Sequence, residues 1–108
     1  MNLPTIIKCL LQAQANFDSL AYSACFVATA VVLDEGKTYI GTDAIMKWNE
    51  STNNEYKTVL EPVDFRQEDY KFVLTAKVSG TFEGSPVLLD YHIETKGELI
   101  ASLEITLH

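Results

Sequence analysis

From residue 56 to the end, the sequence reads as four consecutive β-like runs: Tyr56 to Phe65, Tyr70 to Phe82, Val87 to Thr95 and Leu99 to Leu107. The stretches between them, "RQED", "EGSP" and "KG", are turn formers, so the strands follow one another directly. Short connections make neighbouring strands antiparallel. In "ETKGEL" a glycine falls between two period-2 runs, which predicts that the last two strands form a hairpin. A sheet of this kind has an apolar face that another layer must cover, and the first half of the chain supplies that layer.

Leu3, Ile6, Ile7, Leu10 and Leu11 recur at i, i+3, i+4, i+7 and i+8, and Pro4 suits a first helical turn, which predicts an amphipathic helix from Leu3 to Asn16. Asn16 and Asp18 supply a break and a new N-cap, and Leu20, Ala21, Ala24 and Cys25 mark a second, shorter helix. Residues 27 to 33, "VATAVVL", are rich in β-branched side chains and end at the turn "DEGK", as a strand does. After Gly41, Thr42 or Asp43 caps a third helix that carries Ile45, Met46 and Trp48 and stops near Asn53 and Asn54. Helices gathered on one face of a curved sheet make an α+β arrangement with a cavity between the layers, a place where ligands bind.

A chain of 108 residues fits one domain, 1–108. Fifteen acidic against eight basic residues give a net charge of −7 with no Lys/Arg cluster, which argues against a nucleic-acid or anionic-membrane partner. The longest apolar run, Val27 to Leu33, is far short of the roughly 20 residues that cross a bilayer. The N-terminal stretch lacks a basic n-region and a small-residue cleavage site, and reads as a mature cytoplasmic N-terminus. Cys9 and Cys25 lie in apolar stretches without Cys or His at metal-ligand spacing, so both read as buried free thiols and no metal site is expected. His92 and His108 are too isolated for a zinc site.

The helical pair ending in "SACF", the strand "VATAVVLDEG", the segment "YIGTDAIMKW" with its Gly-x-x-Ala-Ile-x-x-Trp pattern, the "FEGSPV" hairpin and the closing "KGELIASLEI" occur in an order that resembles the nuclear-transport-factor-2-like superfamily. Within it, the chain is similar to the SnoaL-like group of polyketide cyclases and ketosteroid isomerases, along essentially its whole length. The resemblance implies a cone-shaped, cystatin-like α+β fold: three N-terminal helices packed on a strongly curved antiparallel sheet around a mostly apolar pocket. It also implies a homodimer formed through the outer face of the sheet. One reaction is not implied, because the scaffold hosts isomerases, dehydratases, cyclases, hydrolases and binding proteins.

By that resemblance Asp34 stands where ketosteroid isomerases carry their general base, a carboxylate at the end of this strand that moves a proton next to a carbonyl. Desolvation in an apolar pocket raises a carboxylate's pKa and strengthens it as a base. The isomerase's two oxyanion donors fall on Leu10 and Leu89, which argues against steroid isomerisation. "GELIASLEI" resembles the cyclases' Gly-Lys-Ile-x-x-His-Trp-Asp strand and sets Glu104 at their acid/base aspartate, with Ser102 and Leu103 replacing the His and Trp. Strand periodicity puts Ser102, Glu104 and Thr106 on one face and Leu99, Ala101, Leu103, Ile105 and Leu107 on the other. Glu104 looks into the cavity if the apolar face packs in a dimer, and into solvent if that face packs under the helices.

Each candidate also has a structural reading. Asp34 is either a catalytic base or a carboxylate capping the "DEGK" bend, and Glu35 points to the opposite side as a solvent-facing charge. Tyr22, Trp48, Phe72, Leu89, Tyr91 and Ser102 are the expected pocket lining, and Tyr22 and Tyr91 bring hydroxyls able to donate to a carbonyl oxygen. His92 alternates away from Tyr91 and faces outward. Two functions follow: an enzyme without cofactor that performs acid/base chemistry on a small hydrophobic carbonyl compound through Asp34 and Glu104, or a non-catalytic small-molecule-binding or dimerisation domain.

Overall fold

The structure is a computed structural model that describes residues 1–108. Its elements in order are helix α1 (Thr5–Ala15), helix α2 (Ser19–Ser23), strand β1 (Phe26–Asp34), strand β2 (Lys37–Ile40), helix α3 (Thr42–Tyr56) and strands β3 (Val59–Glu68), β4 (Lys71–Ser79), β5 (Val87–Lys96) and β6 (Leu99–Leu107). The six strands form one sheet in the order β2-β1-β6-β5-β4-β3. Every pair is antiparallel except β1 and β6, which run parallel. This corrects the all-antiparallel expectation: the first long strand lies beside the last, reached through α3 and the β3–β5 meander. It also places α3 after the first hairpin, so only two helices are N-terminal to the sheet.

Strand β2 was not foreseen. Glu35 and Gly36 both have positive φ, at 52° and 76°, so "DEGK" is a two-residue hairpin turn whose twist suits the flanking strands. It folds "KTYI" back along β1, pairing Asp34 with Lys37 and Val32 with Tyr39. In "RQED", Arg66, Gln67 and Glu68 belong to β3, and the chain turns at Asp69, where φ is 56°. Asp18 does cap α2, its Oδ1 accepting from the Ala21 N–H at 3.0 Å. Helix α3 continues to Tyr56 and ends on Lys57 in the left-handed region at φ 51°.

Three register shifts, in β1–β6, β3–β4 and β5–β6, interrupt the ladders, and bulges of this kind bend a sheet. The one in β6 changes the face assignment. Glu94 pairs with Ser102 and Thr95 with Ile100, so Ala101 is the extra residue and Ile100 turns inward, fully buried. Leu99, expected on the apolar face, is 38% exposed. Beyond the bulge the expected alternation holds, with Leu103 buried and Glu104 exposed.

The core joins Ile7 and Leu10 of α1, Tyr22 of α2 and Ile45 of α3 to Ala30, Val32, Leu74, Ala76, Ile93, Ile100 and Leu103 of the sheet. Of the two cysteines only Cys25 is buried; Cys9 is exposed, because it lies on the side of α1 away from Ile7 and Leu10. Burial pushes the Cys25 thiol up to about 11, with a further contribution from Cys9.

The helices are also locked together by polar groups. Gln14 Nε2 donates to Asn53 Oδ1 at 2.8 Å and to the Thr58 carbonyl at 3.0 Å. Asn49 Nδ2 donates to Gln14 Oε1 at 2.9 Å, and Asn49 Oδ1 accepts from Ser19 Oγ at 2.6 Å and from Asn53 Nδ2 at 3.1 Å. All four side chains are buried, and Asn49 is the hub that links α1, α2 and α3. Low polarity strengthens each bond but also makes any broken one costly. Asn49→Ala strands partners on three residues, so chemical denaturation should show a loss of about 2–4 kcal/mol. Glu104→Gln, on the exposed face, should stay within about 0.5 kcal/mol of the parent.

Candidate active site

A cavity of about 1060 Å³ opens between α3 and the inner face of the sheet. Its size is at the upper end of the range for small-molecule sites. Thirteen of its 25 lining residues are hydrophobic, so the expected mostly apolar pocket is instead of mixed polarity. Asp34, Glu35, Lys37, Lys47, Glu55 and Glu83 bring the charges, and Asn49 and Asn53 carry the amide cluster to its wall. Of the expected lining, Tyr22, Trp48, Leu89 and Tyr91 are present, together with Asp34.

Sheet register brings these groups together. Asp34 follows Ala30 and Val32 on the inner face of β1, both fully buried. The parallel ladder pairs Val32 with Leu103 and Leu33 with Glu104, so its next step sets Asp34 beside Ile105, and Ile105 pairs with Tyr91 across β5. Asp34 and Tyr91 therefore flank Ile105 in one row, two strand spacings or roughly 10 Å apart at the backbone. Leu89 lies one step further along, paired with Leu107.

Over this row, α2 and α3 lay an aromatic wall. Trp48 meets Tyr22 edge-on with ring centroids 6.1 Å apart, and Tyr39 of the unforeseen β2 at 5.7 Å. Trp48 Nε1 donates to Asp34 Oδ2 at 3.3 Å, which fixes the carboxylate while Oδ1 keeps no protein donor. Burial raises the Asp34 pKa above the ordinary carboxylate value, Glu35 adds to the shift by repulsion, and the Trp48 hydrogen bond partly offsets it. Glu35, expected to point away, sits in the hairpin turn at the cavity edge.

Tyr22 and Tyr91 are 3% and 5% exposed, and neither hydroxyl has a hydrogen-bond partner in the protein. Since no fully buried side-chain nitrogen or oxygen lacks a partner, both hydroxyls must reach the cavity. Burial, followed for Tyr22 by the neighbouring Tyr91, Cys25 and Asp34 and for Tyr91 by Asp34, holds both phenols well above their ordinary pKa. They are protonated donors at any physiological pH.

Glu104, Ser102 and Phe72 do not reach the cavity. Glu104 is exposed on the outer face, paired with His92, because the apolar face of β6 packs under the helices. Ser102, on the same outer face, donates to Glu94 Oε2 at 2.9 Å. Phe72 lies at the far end of β4, packed at a tilt of 41° against Phe65 with centroids 5.5 Å apart. His92 faces outward as expected, hydrogen-bonded to Thr106 Oγ1 at 2.8 Å. That face carries another sequestered carboxylate, Asp90, whose pKa moves the other way: burial pushes it up, but hydrogen bonds from Thr75 and His108 outweigh that and hold it below the usual value. No group of three or more His, Cys, Asp or Glu is placed to hold a metal ion.

The architecture, helices packed on one antiparallel-dominated six-strand sheet, defines an α+β class that solved structures share. A candidate polyketide cyclase from Sinorhizobium meliloti is 38% identical, with a TM-score of 0.92 over 96% of this chain and 95% of that one. A ketosteroid isomerase-like protein from Catenulispora acidiphila, solved in complex with trimethylamine, is 20% identical with a TM-score of 0.87 over 97% of this chain and 86% of that one. A nuclear-transport-factor-2-like protein from Cytophaga hutchinsonii shares the fold at 12% identity, TM-score 0.80, over 99% of this chain and 93% of that one. Neither the family models nor the curated proteins give a match. The chain belongs to the nuclear-transport-factor-2-like superfamily, in its polyketide cyclase and ketosteroid isomerase-like group.

The raised Asp34 pKa gives the stability of the protein a defined pH dependence. A carboxylate whose folded-state pKa lies above its unfolded value favours folding while protonated and loses that contribution as pH rises through the folded pKa. Asp34→Asn keeps an acceptor for Trp48 and removes the charge. The variant should therefore be more stable than the parent at neutral pH, with the difference closing toward acid, as followed by urea unfolding at pH 7 and below pH 4. A turn-capping role would instead make the variant less stable at neutral pH.

Proposed function

We propose that this protein is a cofactor-independent acid/base enzyme of the isomerase, cyclase or dehydratase type, acting on a small, mainly apolar carbonyl compound held in the cavity. Asp34 is the group that takes a proton from the carbon next to the carbonyl and returns it. The observation that carries this reading is the setting of Asp34: a half-buried carboxylate at the inner end of β1, held through Oδ2 by Trp48, with a free Oδ1 and a raised pKa. Each property serves a general base, and a solvated turn residue needs none of them. The 38% identical relative with a cyclase description supports the same class of chemistry. Glu104 has no part in it, being on the other face of the sheet.

Solvent-exchange chemistry tests this without knowledge of the product. In deuterated buffer the protein should catalyse exchange of the α-hydrogens of at least one member of a panel of cyclic ketones and enones, followed by mass spectrometry. Asp34→Asn should lower the rate about 10²- to 10⁴-fold with folding intact. An unchanged rate would remove Asp34 from the mechanism and leave the alternative, a non-catalytic small-molecule-binding domain, which the leucines at positions 10 and 89 favour.

We further propose that two copies pair through the outer face of the sheet, where Leu33 and Leu88 are 39% and 43% exposed among polar neighbours. Sedimentation should give a dimer for the parent and a monomer for Leu88→Glu. With both thiols unpaired, a reducing cytoplasmic setting suits the chain.

A further inference from the structure

We propose that the hydroxyls of Tyr22 and Tyr91 form a two-donor site for a ligand's carbonyl oxygen, taking the role that Leu10 and Leu89 cannot fill. The inference rests on the acid/base reading above and supplies its missing half. Abstracting a proton next to a carbonyl leaves negative charge on oxygen, and a cavity without donors would not stabilise it.

The argument starts from unused hydrogen-bonding capacity. Tyr22 and Tyr91 come from separate elements, α2 and β5, and are 3% and 5% exposed. The Gln14–Asn49–Asn53 cluster beside them satisfies its donors internally, yet the two phenols have no partner in the protein. Their rings are buried, but with no fully buried side-chain oxygen left unpaired, both hydroxyls open onto the cavity and are free to donate to whatever occupies it. Two such donors open to one cavity call for an acceptor that belongs to the ligand.

Position adds to this. Tyr91 stands in the row Asp34–Ile105–Tyr91, so its hydroxyl and the carboxylate enter the cavity from the same level of the sheet, while Tyr22 reaches in from the helical side against Trp48. Leu10 is 2% exposed in the core and does not line the cavity; Leu89 lines it but offers no donor. The donors have thus moved to other elements of the scaffold. In the step this geometry permits, the α C–H bond breaks and the proton passes to Asp34 Oδ1. The electron pair forms the C=C bond of an enolate, whose oxygen accepts from both tyrosines. Return of the proton from Asp34 to carbon closes the cycle, with no oxidant or reductant consumed.

The test uses 2-acetylnaphthalene, which carries a carbonyl acceptor and no donor, with 2-ethylnaphthalene as the apolar control. The parent protein should bind the ketone and shift its carbonyl stretch to lower wavenumber in the infrared. Tyr22→Phe and Tyr91→Phe keep the rings; each should weaken ketone binding roughly 3- to 10-fold and reverse part of the shift, leaving 2-ethylnaphthalene unaffected. Asp34→Asn should retain the shift, which separates this site from the base: a retained shift without hydrogen exchange in the parent would overturn the role of Asp34 alone. Failure of the parent to bind the ketone, an unchanged stretch in both tyrosine variants, or equal weakening of both probes would each overturn the two-donor site.

Discussion

The parallel contact between β1 and β6 is the constraint on which the rest of the molecule depends. A parallel pair needs a long return path, and here that path is everything from β2 to β5. Because β1 is held beside β6, which is itself in hairpin register with β5, three inner-face residues distant in sequence become a row: Asp34, Ile105 and Tyr91. A slip of one residue in either ladder would turn Asp34 or Tyr91 to the outer face, since successive side chains alternate. Buried Ala30, Val32, Leu103 and Ile93 oppose such a slip by the apolar area it would expose. The site is thus set by the core that surrounds it.

Helices close the cavity by a different means. The buried stripe of α3 reads Ile45, Asn49, Asn53, one apolar residue followed by two amides at i+4 spacing. The amides pair with Gln14 and Ser19, so polar complementarity as well as hydrophobic burial sets the position of α3 over the sheet. Such a network is directional where apolar contacts are not, and it fixes how far Trp48, on the same helix, stands from Asp34. Asp34 and Asp90 shift in opposite directions: burial and repulsion from Glu35 prevail at Asp34, while the hydrogen bonds from Thr75 and His108 and the charges of His108 and Arg66 outweigh burial at Asp90.

Much of this was legible in the sequence where the signal is local. The Asp18 cap and the Leu99–Leu107 strand follow from capping chemistry and from period-2 alternation, whereas the cavity placement of Asp34 came from the superfamily resemblance. What escaped depends on partners far along the chain. Strand β2 is four residues long and is defined by the turn at Glu35–Gly36, whose positive φ values propensity alone does not announce at a glutamate. The bulge at Ala101 broke a parity that sequence reading carried unbroken through β6. Glu104 turned on which face of β6 the helices cover, a tertiary choice that left two readings open until the layers were placed. The amide cluster gave a faint sign in Asn49 and Asn53 at i, i+4 beside Ile45, which marks the buried side of the helix; the expected helix stop near Asn53 and Asn54 masked it.

Leucines at positions 10 and 89, where the family resemblance implies oxyanion donors, bear on how one scaffold supports several reactions. Leu10 lies in the hydrophobic core at 2% exposure, where a hydroxyl would need a partner that apolar neighbours do not offer. Leu89 stays in the cavity and makes that part of the wall apolar. Asp34 keeps its place at the end of β1, because the hairpin turn and the β6 ladder hold that strand end, whereas a donor needs only to reach the cavity from some side. Tyr22 does so from a short helix and Tyr91 from the middle of a strand. In the proposed chemistry the two roles therefore differ in how tightly the fold constrains them: the base is tied to one strand end, and the donors that face it can be supplied by any element lining the same space. Under that proposal a ligand's orientation over Asp34 follows the tyrosines, and with it the carbon that would lose its proton.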